Sequence, residues 1–418
     1  MITALQIVFL GIIPLGIVLL SWRSVVFGSV AIIILLPSYT IRATWFGIPT
    51  TALELAIYGL AAGTLLNWMT HRNQPRLNIP TRTRVLLGAW IVSWIVSTVF
   101  SNDLQASLGA LKAWLVDPLI VLATLTLAVR TKSGISWLIR GATISGTIVA
   151  VAGVVQMLAY QNTLQDGRLS SFFAPVANYA AMFLGPISIL TIGSVLWRLL
   201  SRWWLMAAAV MLVALALTVS FGGYVAVGAG LLVLLATWPN KKMRNIAAAA
   251  LLILAIIGGV VVSQTRFFTE KLNTIDRSSS LVRTQIWHTS IEMIKDRPIV
   301  GVGPNAFEAV YRETIPRLYF PPLEWLVAQP HQLLLALWLE TGLLGLLVFL
   351  VSIALWFRAV AKKAKQQHVA SMLGLAAMTA ILIHGLVDTP LFKNDLMIIF
   401  FLVLAIPFLN SKSEETKN

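Results

Sequence analysis

Apolar runs of roughly 17 to 25 residues recur along the whole chain, separated by short polar stretches, and each can cross about 30 Å of hydrocarbon as a helix. Spans are expected at about 4–20, 25–37, 51–69, 85–100, 111–129, 141–159, 178–197, 203–219, 222–238, 246–263, 331–357, 369–387 and 395–409. Strict alternation of apolar and polar positions, which a barrel strand would require, is absent. The pattern therefore predicts an all-α fold: a polytopic transmembrane helical bundle of 12–13 spans with one large external loop containing amphipathic helices. The expected organisation is an N-terminal transmembrane bundle over 1–263, the external loop over 264–330, C-terminal transmembrane helices over 331–409, and a disordered cytoplasmic tail over 410–418. The first run has no basic leader and no small-residue cleavage site, so it reads as a retained span.

Composition agrees. Of 418 residues 58% are hydrophobic and 11% charged, and the mean hydropathy is +0.84, which excludes a soluble globular protein. Cysteine is absent, so disulfides and thiolate chemistry are excluded. The net charge of +15 would suit nucleic acid if it were spread over a surface, but it is concentrated in short loops between apolar runs. Arg72, Arg76, Arg82 and Arg84 fill one; Arg130, Lys132 and Arg140 a second; Arg198 and Arg202 a third; Lys241, Lys242 and Arg244 a fourth; Arg358, Lys362, Lys363 and Lys365 a fifth. None of them contains an acid, and the positive-inside rule places all five in the cytoplasm. No nucleic-acid partner is expected; membrane lipids are.

The external loop has a different character. Its 67 residues hold eight basic and seven acidic side chains. A helix is predicted from about Ser280 to Lys295, with Leu281, Val282, Ile286, Ile291 and Ile294 as its apolar face and Arg283 and Trp287 sharing another. The following "GVGPN" is a turn whose glycines permit uncommon backbone geometry. No zinc-binding, nucleophile-elbow or phosphate-loop motif is present, and the outward acids are scattered, so neither a metal nor a cofactor is expected. Arg42, Arg168, Arg266, Arg277, Arg283, Arg297, Arg312 and Arg317 fall outside against the positive-inside trend. Guanidinium groups match phosphate oxygens, although pairing with loop acids or lipid headgroups would also satisfy them.

His331 stands in "QPHQ" at the start of an apolar helix, where a neutral imidazole could accept a proton from a hydroxyl. His384 and Asp388 lie one turn apart near the end of another span, and either an acceptor-orienting or a structural role fits them. Glu340 lies nine residues beyond His331, where a carboxylate needs a partner and reads first as a helix-packing group. Asp117 and Glu54 are expected at span ends, bonded to helix termini; His71, His288 and His368 are second choices. Trp287 and Trp325 could stack on a sugar.

These residues resemble the O-antigen ligase and O-antigen polymerase superfamily. Its pattern is an Arg and a Trp on a loop helix, "P-x-x-G-x-G-x-x-x-F", then a His at the start of a helix bearing "E-x-G-x-x-G". The chain has Arg283, Trp287, Pro298, Gly301, Gly303, Phe307, His331, Glu340, Gly342 and Gly345 in that order. Upstream, "GRLSSFFAPVANYAAMFL" looks like a family segment preceding a span, and downstream "HGLVDTP" precedes the last span. The chain departs from the pattern at Gln332, where Asn is common, at Phe221, where an Arg is expected in a short turn, and at Ala174, which replaces one asparagine while Asn178 remains.

The resemblance implies an inverting glycosyltransferase that moves a glycan from a polyprenyl-diphosphate donor to a lipid, glycan or protein acceptor, on the outer side of the bacterial cytoplasmic (inner) membrane, facing the periplasm or exterior. It implies His331 as base and Arg283 as the other catalytic residue, with Arg168, Arg42, Trp287, Asn178, Gln332, His384 and Asp388 binding substrate. A transporter or flippase of lipid-linked saccharide is the alternative; related halves and midplane polar residues would mark it, and neither is evident.

Overall fold

A computed structural model of the protein describes residues 8–45, 48–71, 80–129, 131–159, 167–173, 176–238, 242, 245 and 279–409. The expected span 246–263, the first part of the predicted external loop (264–278), the tail and Ala174 lie outside them.

The described chain is helical apart from one short hairpin. In order come α1 (Ile13–Arg23), α2 (Val25–Ile34), β1 (Arg42–Trp45), β2 (Ile48–Thr51), α3 (Ala52–His71), α4 (Thr81–Val99) and α5 (Leu104–Ala128). They are followed by α6 (Lys132–Ala159), α7 (Ala177–Leu196), α8 (Trp204–Leu217) and α9 (Phe221–Ala236). The last five are α10 (Ser279–Asp296), α11 (Phe307–Leu318), α12 (Leu333–Lys365), α13 (Val369–His384) and α14 (Asn394–Ala405). Helices α3, α5, α6, α7 and α12 are long and apolar enough to cross a membrane, and the protein is an integral membrane protein built as a polytopic helical bundle.

Small residues set the closest packing. In α3, Gly59 and Gly63 are one turn apart and face α1; a Cβ at Gly59 would lie 2.6 Å from the carbonyl oxygen of Pro14. Without a hydrophobic drive between helices in lipid, this backbone approach supplies the dispersion contact. α7 is the centre of the bundle, with 83% of its apolar window buried against α6, α8, α9 and α13.

Two expectations change. The hairpin was not predicted: β1 and β2 pair antiparallel, Arg42 opposite Thr51, because the polar segment between two apolar runs must satisfy its own backbone groups. Asp117 does not end a span. It lies inside α5, just after a π-helical turn at Lys112–Val116, and Pro118, which has no N–H to donate, falls where that turn has already displaced the regular bonding. Glu54 does serve a helix start: it sits in the first turn of α3 and accepts from the Thr51 N–H at 3.3 Å.

Between α9 and α12, the described segment has a core of its own. Ile286, Met293 and Ile294 of α10 pack with Val302, Phe307, Tyr311 and Ile315, and Leu339 of α12 closes that core from below. Leu281 and Ile291, predicted on the buried face, are exposed at 46% and 44%. At about 100° per residue they fall opposite Ile286, and Met293 takes the place expected of them.

Candidate active site

His331 and Asp388 are 57 residues apart, and one backbone bond brings them together. The Leu333 N–H, first in α12, donates to the Gly385 carbonyl at the end of α13 at 2.8 Å. An orphan donor at one helix start is thereby satisfied by an orphan acceptor at another helix end. The side chain of Gln332 caps α12, accepting from the Leu335 N–H at 2.6 Å. His331 precedes the helix by two residues, with φ at 51°, in the left-handed region that non-glycine residues seldom occupy. The indole N–H of Trp287 donates to the His331 carbonyl at 3.4 Å, tying α10 to the same turn.

From His331 a chain of side chains runs inward. Its Nδ1 lies 3.0 Å from Asp388 Oδ1, which also accepts from the Thr389 N–H at 2.9 Å. Asp388 Oδ2 accepts from the Asn178 amide at 2.9 Å, and the Asn178 carbonyl oxygen accepts from Arg168 at 2.6 Å. Arg168 also donates through Nε to the Thr218 carbonyl at 2.8 Å and reaches the Val219 carbonyl at 3.4 Å, where α8 ends. Arg168, Asn178, Asp388 and His331 are therefore one relay. The cation at one end fixes the Asn178 amide so that its NH2 points at the carboxylate.

The relay sets the state of the imidazole. Burial pulls the His331 pKa down, but the hydrogen bond and negative charge of Asp388 outweigh it, and the net shift is upward from 6.5. Burial raises Asp388, yet the hydrogen bond and charge of His331, the charge of His384 and the Thr389 N–H together hold its carboxyl well below the usual carboxylate range. An anionic Asp388 fixes the neutral imidazole with its proton on Nδ1 and leaves Nε2 as acceptor.

Arg283 comes from α10, four residues before Trp287, and its charge bears on both His331 and His384. Among the described residues its guanidinium forms no hydrogen bond or ion pair. His384 is buried at the end of α13, its Nε2 without a hydrogen-bond partner among the described residues and its ring against Gly222. The neighbouring Phe221, half exposed at the start of α9, occupies the expected arginine position. Arg42 is exposed on β1, outside the relay, and its charge bears on Lys393 rather than on the histidines. Lys393 was missed by the sequence reading, which sought outward cations among the arginines, although "FKND" follows closely on "HGLVDTP". Trp325 is half exposed in a groove of about 420 Å³ with Arg312 and Glu313, and His288 bonds to the Tyr319 hydroxyl at 2.8 Å. No group of three or more His, Asp or Glu arranged to hold a metal occurs among the described residues.

The glycine motifs hold the loop on the bundle. Gly342 has φ 71° and ψ 178°, so α12 breaks there and its carbonyls open. The Val302 and Gly303 N–H groups donate to the freed Leu339 carbonyl at 2.8 and 3.2 Å, and the Leu343 N–H reaches back to the Ile299 carbonyl at 2.9 Å. Gly301, at φ 72°, lies so near the Trp338–Leu339 turn of α12 that a Cβ would collide with the Leu339 carbonyl. Glu340, buried at this break, accepts from the Asn305 N–H. "GVGPN" and "ETG" are two halves of one lock, which joins the segment that bears Arg283 and Trp287 to α12.

Residues 206–350 match the family model described as O-antigen ligase. No curated protein matches the chain. The matched stretch contains Arg283, Trp287, His331 and the lock, and it ends before Asp388; Arg168 and Asn178 precede it. The match supports the O-antigen ligase and polymerase superfamily and a membrane glycosyltransferase-like function.

Proposed function

From the O-antigen ligase domain at residues 206–350 as premise, we propose that the protein transfers a glycan from a polyprenyl-diphosphate carrier to an acceptor hydroxyl on the outer side of the bacterial cytoplasmic membrane. The observation that carries this reading is the His331–Asp388 pair, with the guanidinium of Arg283 close by and without a protein partner among the described residues. His331 Nε2 takes the hydroxyl proton as the acceptor oxygen attacks the anomeric carbon. The bond from that carbon to the diphosphate oxygen breaks, and the diphosphate leaves with the electron pair. Arg283 meets the charge that develops there, a task guanidinium groups perform without a metal. A single displacement of this kind inverts the anomeric centre. Arg168 and Asn178 act through Asp388: their hydrogen bonds hold the carboxylate that holds the base.

The test is transfer from a polyprenyl-diphosphate-linked glycan in reconstituted membranes containing EDTA. The expected result is metal-free transfer by the wild type, with H331A slowed by about 100- to 10,000-fold and R283A by about 100- to 1,000-fold. Full activity in H331A removes the base assignment, and movement of donor across the bilayer without consumption replaces the transferase with a transporter.

A further inference from the structure

Arg168 was expected to bind substrate, and its Nε and Nη2 are engaged by two backbone carbonyls and Asn178. Arg42, also expected to bind substrate, has a cationic neighbour that was not expected, Lys393. Lys393 precedes α14, half-buried, with its ammonium 5.2 Å from the ring centroid of Tyr179. The Tyr179 hydroxyl is in turn bonded to the buried Asp395, which fixes the platform under the ammonium. Neither Asp388 nor Asp395 comes within ion-pair distance of Lys393, although both act on it at longer range, as does the positive charge of Arg42. The Arg42 side chain likewise forms no hydrogen bond or ion pair among the described residues. The charges of Lys393 and Arg42 thus bear on each other, and neither side chain forms an ion pair among the described residues.

The scaffold that imposes this is visible. Glu54 accepts from Thr50 at 3.0 Å and from the Thr51 N–H on β2, from Asn394 at 3.3 Å, and forms an ion pair with Lys112 at 2.9 Å. Lys112 also donates to the Pro49 carbonyl at 2.8 Å. One buried carboxylate therefore ties the hairpin that bears Arg42 to Asn394, the residue following Lys393. Asp395 and Asp388 offset part of the cost of burying Lys393 near Arg42, and an anionic ligand bonded to both cations would offset more.

We propose that Lys393 and Arg42 form a binding subsite for the diphosphate of the lipid-linked donor, next to the His331–Asp388 pair. The inference rests on the transferase reading and names which side chains hold its donor. Lys393 supplies a compact charge and Arg42 a planar fork, and Arg283 is left to the oxygen that departs from the sugar.

Binding of polyprenyl diphosphate, polyprenyl monophosphate and phosphatidylglycerol to the full chain in detergent, measured by native mass spectrometry, tests it together with donor KM and kcat in vesicles. K393Q is expected to weaken diphosphate binding and to raise the donor KM by about tenfold with kcat changed less than about threefold, and K393R is expected to restore most of both. R42Q, at an exposed strand position, is expected to act in the same direction and carries the test should K393Q fail to fold. Unchanged diphosphate binding in the folded variants overturns the subsite while leaving the transferase intact if wild-type transfer persists. Equal loss for phosphatidylglycerol and diphosphate overturns it as well, in favour of a lipid-headgroup site. Wild type that neither binds nor consumes donor removes the transferase reading itself.

Discussion

Asp388 decides what His331 can do at the level of a single proton. Because the carboxylate raises the imidazole pKa, a base at His331, as proposed, is expected to be lost to protonation as pH falls through a value above 6.5, with kcat/KM falling alongside. D388N removes both the charge and the fixed acceptor. It should lower kcat by on the order of 100-fold and move the acid limb of the kcat/KM profile to lower pH; a limb that stays in place would detach Asp388 from the base. Each member of this pair was legible alone, His331 from its place after Pro330 and Asp388 from the turn after His384. Their hydrogen bond was not, since it depends on the Leu333–Gly385 contact between two helix ends remote in sequence. Arg168 shows the opposite limit. An outward arginine suggests an anion, but the sequence does not reveal that the carbonyls at the end of α8 take part of its donor set.

Helices read well where the apolar period was long, and poorly where a break served another element. α10 was expected within one residue at each end, while the hairpin and the break in α12 were not, because both exist to satisfy backbone groups that only the folded chain presents. Gly342 carries the break. G342A forces a side chain into a left-handed conformation, with its Cβ against the Ile299 carbonyl, and should destabilise the lock by about 1–3 kcal/mol. Limited proteolysis between α10 and α11 should accelerate accordingly, with transfer reduced, while the bundle keeps its thermal transition. Unaltered cleavage would mean that the loop does not depend on the break.

At the scale of the whole molecule, the sequence predicted a helical membrane bundle from its apolar runs and an orientation from acid-free basic loops. The bundle is observed; the orientation is open to direct measurement. The absence of cysteine makes single-cysteine variants clean reporters. R312C, exposed on α11, is expected to react with a membrane-impermeant maleimide from outside intact spheroplasts, and K362C, exposed near the end of α12, only after permeabilisation. Reversed labelling would put the candidate site on the cytoplasmic face, where a donor presented outside could not reach it.

The break at Gly342 divides α12 into unequal tenancies. Its outer part, Leu333 to Thr341, is a party wall: Leu333, Ala336 and Leu337 lean on the membrane bundle, Leu335 and Leu339 lean on the small core of the loop, and Trp338 packs against both. The remainder, Leu343 to Lys365, is an ordinary membrane helix. A push on the loop therefore has two short routes to His331, this wall and the Trp287 N–H bond to the His331 carbonyl, and neither runs through the long helix beyond the break.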